Sequence, residues 1–395
     1  MSRDAERPGT EMAPSDERAD ESAGKRSLMS NLSTVFNTLR WARPQGPGVG
    51  ESSPGEAPTE LVQALAGMDL LVTGDRPRLT RLPFGPAAAL YRADLAWGTA
   101  CLKRALPLPD ARLDASAALA RSDYETRWLR VARETVPDCA PEVIAEHPAS
   151  GVFAMEFLDP QLFPAWSRVL EGDRVQPWVA AEIGHLLGRL HAASASGGTV
   201  QQRFASTAAF RALAIEPRIR HASGAHPDCV DALTDVLGGA ARHRIALVHG
   251  TFSTDNVLVG PRGPMVTNAE CATCADPVFD FASMLSDLAM WMLWRPRRRT
   301  AYVTCFETFQ RTYLPHVTWE MTSVAEARAA RMVSALLLAA LEAPGPSRHG
   351  VAPSDHANAV EAARTMLLVP HAKLDAVRDA WIDAIAPDAA RQPDA

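Results

Sequence analysis

Long apolar runs are absent from this chain of 395 residues. None approaches the ~20 consecutive apolar residues that a membrane-spanning helix requires, so the sequence predicts no transmembrane segment. A secretory signal is also missing from the first residues, which favours a cytoplasmic protein. Cysteine is infrequent, with six residues, and in that compartment we expect reduced thiols rather than disulfides.

A second pair of metal ligands is missing beside the C-x-x-C motif that Cys271 and Cys274 form. Structural zinc sites ordinarily need two such pairs of Cys or His at a matching spacing. We therefore favour core packing for both thiols over a redox or metal site.

The chain has no excess of positive charge. It carries 40 basic and 46 acidic residues, for a net charge of −6, which gives no electrostatic reason to expect nucleic acid as the main partner. Lysine and tyrosine are scarce while alanine and arginine are abundant, a composition typical of a GC-rich bacterial gene. The apolar fraction of 47% is ordinary for a soluble globular protein, and the length favours two lobes over a single core.

Residues 1–58 are rich in Ser, Glu, Asp, Arg, Pro and Gly and predict a disordered N-terminal tail. Within this tail, apolar residues between 28 and 41 recur at helical spacing and indicate a short amphipathic helix. Such a helix would dock on the body of the protein, on a protein partner or on a membrane surface. The alternative interpretation is that the helical spacing of these apolar residues is accidental. Residues 387–395 predict a C-terminal tail.

Residues 59–159 predict a small mixed domain, and residues 160–386 predict a mainly helical one. The small domain has a first helix, three short strands, a long helix and two strands joined by a turn. Its predicted elements are 60–65, 79–82, 89–93, 100–104, 114–133, 142–146 and 152–157. The predicted helices of the second domain are 179–193, 231–243, 279–294, 325–343, 356–368 and 372–386.

The most informative segment runs from Leu247 to Asn256 and has the spacing of a phosphotransferase catalytic loop. In the pattern H-x-D-x-x-x-x-N, the Asp accepts the proton of the substrate hydroxyl and the Asn holds a magnesium ion. His249 and Asn256 occupy their positions in this pattern, but Thr251 stands where the Asp belongs. The strands around residues 257–259 and 265–267 then predict a hairpin directly after the loop.

Two further motifs follow, Thr267-Asn268-Ala269-Glu270 and Ala275-Asp276-Pro277-Val278-Phe279-Asp280-Phe281-Ala282. With the loop, they resemble the aminoglycoside phosphotransferase family, kinase-like enzymes that phosphorylate small molecules, over about residues 60–386. Members of that family carry H-G-D-x-x-x-x-N, then I-D-x-E and G-D-P-x-x-D-L-A. The resemblance implies an α+β, protein-kinase-like two-lobed fold with a small N-lobe and a mainly helical C-lobe. It also implies ATP and Mg²⁺ as cofactors if the protein is active.

The resemblance extends to the small lobe. Lys103 occupies the position of the lysine that neutralises nucleotide phosphates, and Glu125 that of its helical partner. Glu156 and Phe157 lie in the segment that would meet adenine through its backbone, and Gly85 lies in the loop that would cover the phosphates. The simpler alternatives are a surface lysine, a solvated helix face and a plain buried strand.

Three positions depart from the family pattern. Thr251 cannot act as a general base, and Asn268 replaces the metal-binding Asp with an amide that brings no charge to a hard cation. The loop at 84–89 replaces a Gly/Ser/Asn-type nucleotide loop and keeps a single glycine, Gly85, and Pro86 removes a backbone N–H donor. Each departure removes a group that phosphoryl transfer uses.

Other acids could compensate for the two missing ones. Asp255 adjoins Asn256, Glu270 follows Asn268 by two residues, and Asp276 lies in an Asp-Pro turn, so each is a candidate metal ligand. For Asp280 we predict a structural role, as a helix cap or as a brace for the loop.

Three functions stay open at this point. The first is a pseudokinase or weakly active phosphotransferase that binds nucleotide or a small molecule. The second is an active ATP- and Mg²⁺-dependent kinase acting on a hydroxyl of a small molecule. The third is an interaction protein that works through residues 28–41 of its tail. The family accepts aminoglycosides, choline-like alcohols and sugars, and the sequence does not distinguish among these substrates.

Overall fold

The computed structural model of the protein describes residues 58–386, apart from 73, 109–112, 173–174, 196, 344–350 and 370–372. The predicted amphipathic helix at 28–41 and the predicted tail at 387–395 lie outside these residues. Among the residues described, no helix is long and apolar enough to cross a membrane.

The small lobe is built on a five-stranded antiparallel sheet with the strand order β1-β2-β3-β5-β4. A short helix precedes the sheet, and a long helix between β3 and β4 packs against it. The elements are α1 (Thr59–Gly67), β1 (Arg78–Leu82), β2 (Ala88–Leu95), β3 (Gly98–Ala105), α2 (Ala115–Thr135), β4 (Val143–His147) and β5 (Val152–Glu156).

Strand β3 is the central strand, and its residues from Cys101 to Lys103 are buried. Lys103 stands opposite Leu90 on β2 and Phe153 on β5. A lysine in such a position needs an internal partner, because an unpaired buried charge is costly. This requirement links the sheet to α2.

Helix α2 begins at a well-formed cap, where the Asp114 carboxylate accepts a hydrogen bond of 2.9 Å from the backbone N–H of Ala117. The helix continues for 21 residues, and its buried face carries Trp128 and Leu129 together with Arg121 and Glu125. This face therefore buries two opposite charges beside its apolar residues.

The large lobe is helical, with two short two-stranded sheets next to the catalytic-type loop. Its strands are β6 (Ala246–Val248), β7 (Val257–Gly260), β8 (Gly263–Val266) and β9 (Thr273–Ala275), which pair as β6 with β9 and β7 with β8. Its helices are α3 (Trp166–Glu171), α4 (Pro177–Ala195), α5 (Gly198–Arg203), α6 (Glu216–Ala225), α7 (Val230–Arg242), α8 (Val278–Trp294), α9 (Arg299–Tyr313), α10 (Thr322–Glu342), α11 (Pro353–Leu368) and α12 (Leu374–Ala384). A π-helical turn, Phe210–Ile215, leads into α6.

Helix α8 forms the centre of this lobe and is buried on nearly every side, with α9 and α10 packed against it. The predicted hairpin after the loop is present as β7 and β8. The sequence interpretation missed α9, which follows an arginine cluster and is rich in Thr, Val, Tyr and Phe. Such β-branched and aromatic residues have low helix propensity, so tertiary packing decides the structure of this segment.

Candidate active site

The loop from His249 to Asn256 connects β6 to β7 and is hydrogen-bonded to Asp280 of α8. The fully buried Asp280 carboxylate accepts hydrogen bonds from the backbone N–H groups of His249 at 2.5 Å and Gly250 at 2.9 Å. Gly250 has φ +82°, and a Cβ there would lie 2.6 Å from the carbonyl oxygen of Cys271. Only glycine fits this turn, and Asp280 braces the loop, one of the two roles predicted for it.

The imidazole of His249 is committed to the backbone. Its Nε2 lies 2.9 Å from the carbonyl oxygen of Thr267, so Nε2 carries the proton, and Nδ1 accepts from the N–H of Thr251 at 3.2 Å. The ring also makes an edge contact with Trp128 at a centroid distance of 5.0 Å. Burial lowers the pKa of His249 from 6.5, which favours the neutral ring. His249 therefore positions the loop.

We expect acid to destabilise the protein through His249. Because its pKa is lower in the folded state, the unfolded chain binds more protons below pH 6.5, and stability falls as pH falls. One such group contributes a slope of up to about 1.4 kcal/mol per pH unit. Urea unfolding from pH 7 to pH 5 measures this slope. It should decrease in His249→Gln, and an unchanged slope would show that this ring contributes nothing to it.

Thr251, at the position of the family's catalytic base, is buried and turned toward the protein. Its hydroxyl lies 3.2 Å from the backbone oxygen of Asn268, to which it donates, and 3.2 Å from Nδ1 of His249. A hydroxyl held in this way cannot accept a proton from a substrate near neutral pH. The threonine therefore supports the loop and supplies no base.

Lys103, Asn268 and Asn256 are joined by a continuous series of direct hydrogen bonds. Asn256 Nδ2 donates to the backbone oxygen of Thr251 at 2.7 Å, and Asn268 Nδ2 donates to Asn256 Oδ1 at 3.3 Å. Lys103 Nζ donates to Asn268 Oδ1 at 2.7 Å. The two amide oxygens that could ligate a metal thus accept hydrogen bonds from protein donors. Asn268 has φ +67°, a backbone conformation that Asn adopts more readily than most residues.

The resemblance implied that Lys103 pairs with Glu125, and the structure brings the two together. Lys103 Nζ lies 2.8 Å from Oε1 and 2.7 Å from Oε2 of Glu125, and both side chains are buried. Burial raises the pKa of Glu125, and the charge of Lys103 opposes that rise. Lys103 is one of only three lysines in the chain, and its charge is neutralised within the protein.

A second buried ion pair lies beside the first, and the sequence interpretation missed it. Arg121 Nη1 donates to Glu270 Oε2 at 2.8 Å, and both side chains are almost fully buried. Arg121 Nη2 also donates to the backbone oxygen of Ala87 at 3.2 Å and to that of Leu106. The two partners are 149 positions apart, so no local signal in the sequence could have revealed the pair.

Asp276 and Asp255, the other two proposed metal ligands, differ in their surroundings: Asp276 is paired with an arginine and Asp255 is half-buried. Asp276 binds Arg328 through both carboxylate oxygens, at 2.7 and 3.1 Å, and accepts from the backbone N–H of Val278 at 3.0 Å. Asp255 is half-buried beside Asn256. Among the residues described, no group of three or more His, Cys, Asp or Glu could hold a metal ion.

The cleft between the lobes lies in front of Lys103 and is lined mostly by apolar side chains. Its wall includes Phe84, Glu156 and Phe157, while Gly85 is buried in the neighbouring loop. The ring of Phe84 lies 5.1 Å from Lys103 Nζ, and Glu156 pairs with Arg262. The cavity measures about 80 Å³, whereas ligand pockets ordinarily span roughly 300–1,000 Å³. A nucleotide would need the lobes to open.

A family model described as "Phosphotransferase enzyme family" matches residues 91–326, well over half of the chain. The chain belongs to this phosphotransferase family. The match spans both lobes and includes Lys103, Glu125, the loop and Asn268. Among curated proteins no match was found.

Solved structures are similar to this phosphotransferase-family chain in fold. The amicoumacin kinase hAmiN, in complex with AMP-PNP, Ca²⁺ and Ami, has a TM-score of 0.50 at 11% identity, covering 79% of this chain and 94% of that one. A choline/ethanolamine kinase family protein from Mesorhizobium loti gives 0.48 at 16%, covering 82% and 98%. An aminoglycoside phosphotransferase from Alicyclobacillus acidocaldarius gives 0.45 at 16%, covering 85% and 98%. The predicted two-lobed, kinase-like α+β fold is confirmed.

Proposed function

We propose that this phosphotransferase-family protein is a pseudokinase, or at most a weakly active phosphotransferase, whose cleft binds a nucleotide or another small molecule. The observation that carries the proposal is the chain of hydrogen bonds from Lys103 through Asn268 to Asn256. The neutral amide of Asn268 accepts a hydrogen bond from Lys103, the lysine that would otherwise meet phosphate. Asn268 and Asn256, the residues that would hold a divalent ion, are hydrogen-bonded to each other.

The charges around the cleft support the same proposal. Glu125 is neutralised by Lys103, and Glu270 is neutralised by Arg121. Mg²⁺ in a phosphotransferase is ordinarily held by one or two carboxylates together with substrate phosphates. The carboxylates nearest to Asn268 are already paired with protein cations, so the residues present do not fit a tightly bound Mg²⁺.

The missing base adds to this deficit. Loss of a positioned general base ordinarily lowers a rate by about 10²–10⁴-fold. Phosphoryl transfer depends mainly on positioning and charge neutralisation, so Thr251 alone would leave slow turnover. Thr251 combined with a site that holds no metal lowers the expected rate much further.

The intact Lys103 and Glu125 pair favours a second candidate, an active kinase that uses ATP and Mg²⁺ to phosphorylate a hydroxyl of a small molecule. This candidate requires the cleft to open and Asn268 to exchange Lys103 for a metal. The site roles of Asp255 and Asp276, the boundary between residues 159 and 160, the cytoplasmic location and a partner for residues 28–41 stay predictions.

Calorimetry with ATP separates the two candidates. For the wild type we expect ATP to bind with a Kd that Mg²⁺ leaves unchanged, since the described residues of the site offer the metal ion no unpaired carboxylate. For Thr251→Asp/Asn268→Asp, two carboxylates restore a site for the cation, and we expect at least about tenfold tighter binding with Mg²⁺ than without it. Thr251→Asn is the matched control, because asparagine has the size of aspartate and carries no charge.

Either of two results would contradict the pseudokinase proposal. One is ATP binding by the wild type that tightens at least about tenfold when Mg²⁺ is added. The other is steady release of ADP from wild-type protein in the presence of Mg²⁺ and a hydroxyl acceptor. In both cases the active-kinase candidate would stand, and a screen of acceptor alcohols would follow.

A further inference from the structure

Helix α2 touches the segment from Asn268 to Glu270 through two buried contacts, which we call the α2 clamp. In one contact, Glu125 holds Lys103, which in turn donates to Asn268. In the other, Arg121 donates directly to Glu270. Arg121 and Glu125 are four residues apart on one face of α2, so Arg121 reaches the segment directly and Glu125 reaches it through Lys103 on β3. The clamp contains two cations and two anions.

Arg121 joins three parts of the small lobe around Glu270. Its Nη2 donates to the backbone oxygens of Ala87, in the loop over the cleft, and Leu106, after β3. Its Nη1 donates to Glu270. The guanidinium is therefore surrounded by one carboxylate and two carbonyl oxygens, the kind of oxygen ligands that a hard divalent cation takes in proteins.

The pairing leaves one donor and one acceptor unused. Arg121 Nε and Glu270 Oε1 are buried, and neither has a hydrogen-bond partner among the residues that the structure describes. Arginine frequently meets a carboxylate through two parallel hydrogen bonds, but here a single hydrogen bond forms and the other carboxylate oxygen has no partner among the residues described. The carboxylate geometry is thus not fully used by the arginine.

We propose that Arg121 is a resident cation that takes the electrostatic place of a divalent metal ion at Glu270. This inference rests on the proposed function, because it explains how the protein keeps the two lobes in register without Mg²⁺. Arg121 is a positioning residue: it holds Glu270, the loop at Ala87 and the end of β3 together. Removing its side chain leaves a cavity lined by the oxygens of Ala87, Leu106 and Glu270.

Removal of Arg121 is expected to create a metal site where the wild type has none. The probe is Mn²⁺ alone, followed by the loss of the free-ion signal in electron paramagnetic resonance. For Arg121→Ala we expect a Kd of about 1 mM, the range of weak oxygen-ligand sites, and at least tenfold tighter than that of the wild type. At 10 mM Mg²⁺ or Mn²⁺ the Tm of this variant should rise by about 2 °C, and that of the wild type should not change.

Three controls isolate the effect. Arg121→Lys keeps a cation and should gain no metal binding. Arg121→Ala/Glu270→Gln removes the carboxylate and should lose the gain. Arg127→Ala removes an exposed arginine of the same helix, paired with Asp123, and should behave like the wild type. A structural role for Arg121 alone would lower Tm in Arg121→Ala without any rescue by a divalent ion.

The wild type decides the question even if Arg121→Ala does not fold. Binding of Mn²⁺ by the wild type with a Kd near 1 mM, abolished in Glu270→Gln, would overturn the inference, since Glu270 would then be open to metal. Folded Arg121→Ala without any gain in Mn²⁺ binding would overturn it as well. Neither result reports on phosphoryl transfer, whereas transfer by the wild type would overturn the proposed function itself.

Discussion

Replacing Glu270 by glutamine is expected to lower the free energy of unfolding by about 3–5 kcal/mol, the range for breaking a buried ion pair from one side. The guanidinium of Arg121 would stay buried without a carboxylate, beside the carbonyl oxygens of Ala87 and Leu106. The glutamine would also place an amide N–H₂ or a single oxygen against it. Urea unfolding at pH 7 measures the change in the free energy of unfolding. The lost contact is the one between α2 and the segment after β8.

Two comparisons make this expectation specific. Arg121→Met/Glu270→Leu removes both charges and should be less destabilised than Glu270→Gln, because apolar replacements of a buried pair are often neutral or stabilising. Glu361→Gln is the exposed control, since Glu361 pairs with Arg364 at the surface and should change stability by less than about 0.5 kcal/mol. A loss below about 1 kcal/mol in Glu270→Gln would show that Arg121 is not truly desolvated.

Motif spacing was sufficient to predict the parts of the site that follow one another along the chain. The loop from His249 to Asn256, the hairpin after it and the turn before α8 each have a pattern of fixed length. The family resemblance also implied Lys103 and Glu125 as partners, and the structure places them 2.7–2.8 Å apart. Backbone requirements such as the positive φ of Gly250 explain why these patterns are so regular.

The parts that escaped prediction depend on partners far away in sequence. Arg121 and Glu270 are separated by 149 positions, and nothing near Arg121 marks it as buried. An arginine on a helix is ordinarily solvated, so its role becomes visible only when α2 packs against the segment after Asn268. Asp276 is a second case. Its Asp-Pro turn suggested a metal ligand, a role that stays a prediction, while its pairing with Arg328, 52 positions later, had no signal in the sequence.

Buried charges hold two neighbouring segments of the candidate site. The α2 clamp holds the small lobe to residues 268–270, and Asp280 holds the loop at residues 249–250 from the other side. The site is therefore fixed in shape by buried charges, although the groups that would perform phosphoryl transfer are replaced.

Asp280→Ala is expected to destabilise the protein by about 3–5 kcal/mol and to loosen the catalytic-type loop. The substitution leaves the buried N–H groups of His249 and Gly250 without an acceptor, at about 1–3 kcal/mol each. It also removes the carboxylate next to His191, whose Nε2 lies 3.5 Å from Asp280. Hydrogen exchange at residues 249–256, measured together with urea unfolding, separates local opening of the loop from global unfolding.

The comparison with Asp94→Ala shows whether burial is the cause. Asp94 pairs with Arg92 at the surface of β2, and its loss should cost less than about 0.5 kcal/mol without any change in exchange at the loop. Asp280→Asn tests the number of acceptors, because an amide offers one oxygen and turns its N–H₂ toward the second backbone donor. We therefore expect the asparagine variant to recover only part of the loss. Full recovery would mean that one hydrogen bond holds the loop, and that the second N–H finds water.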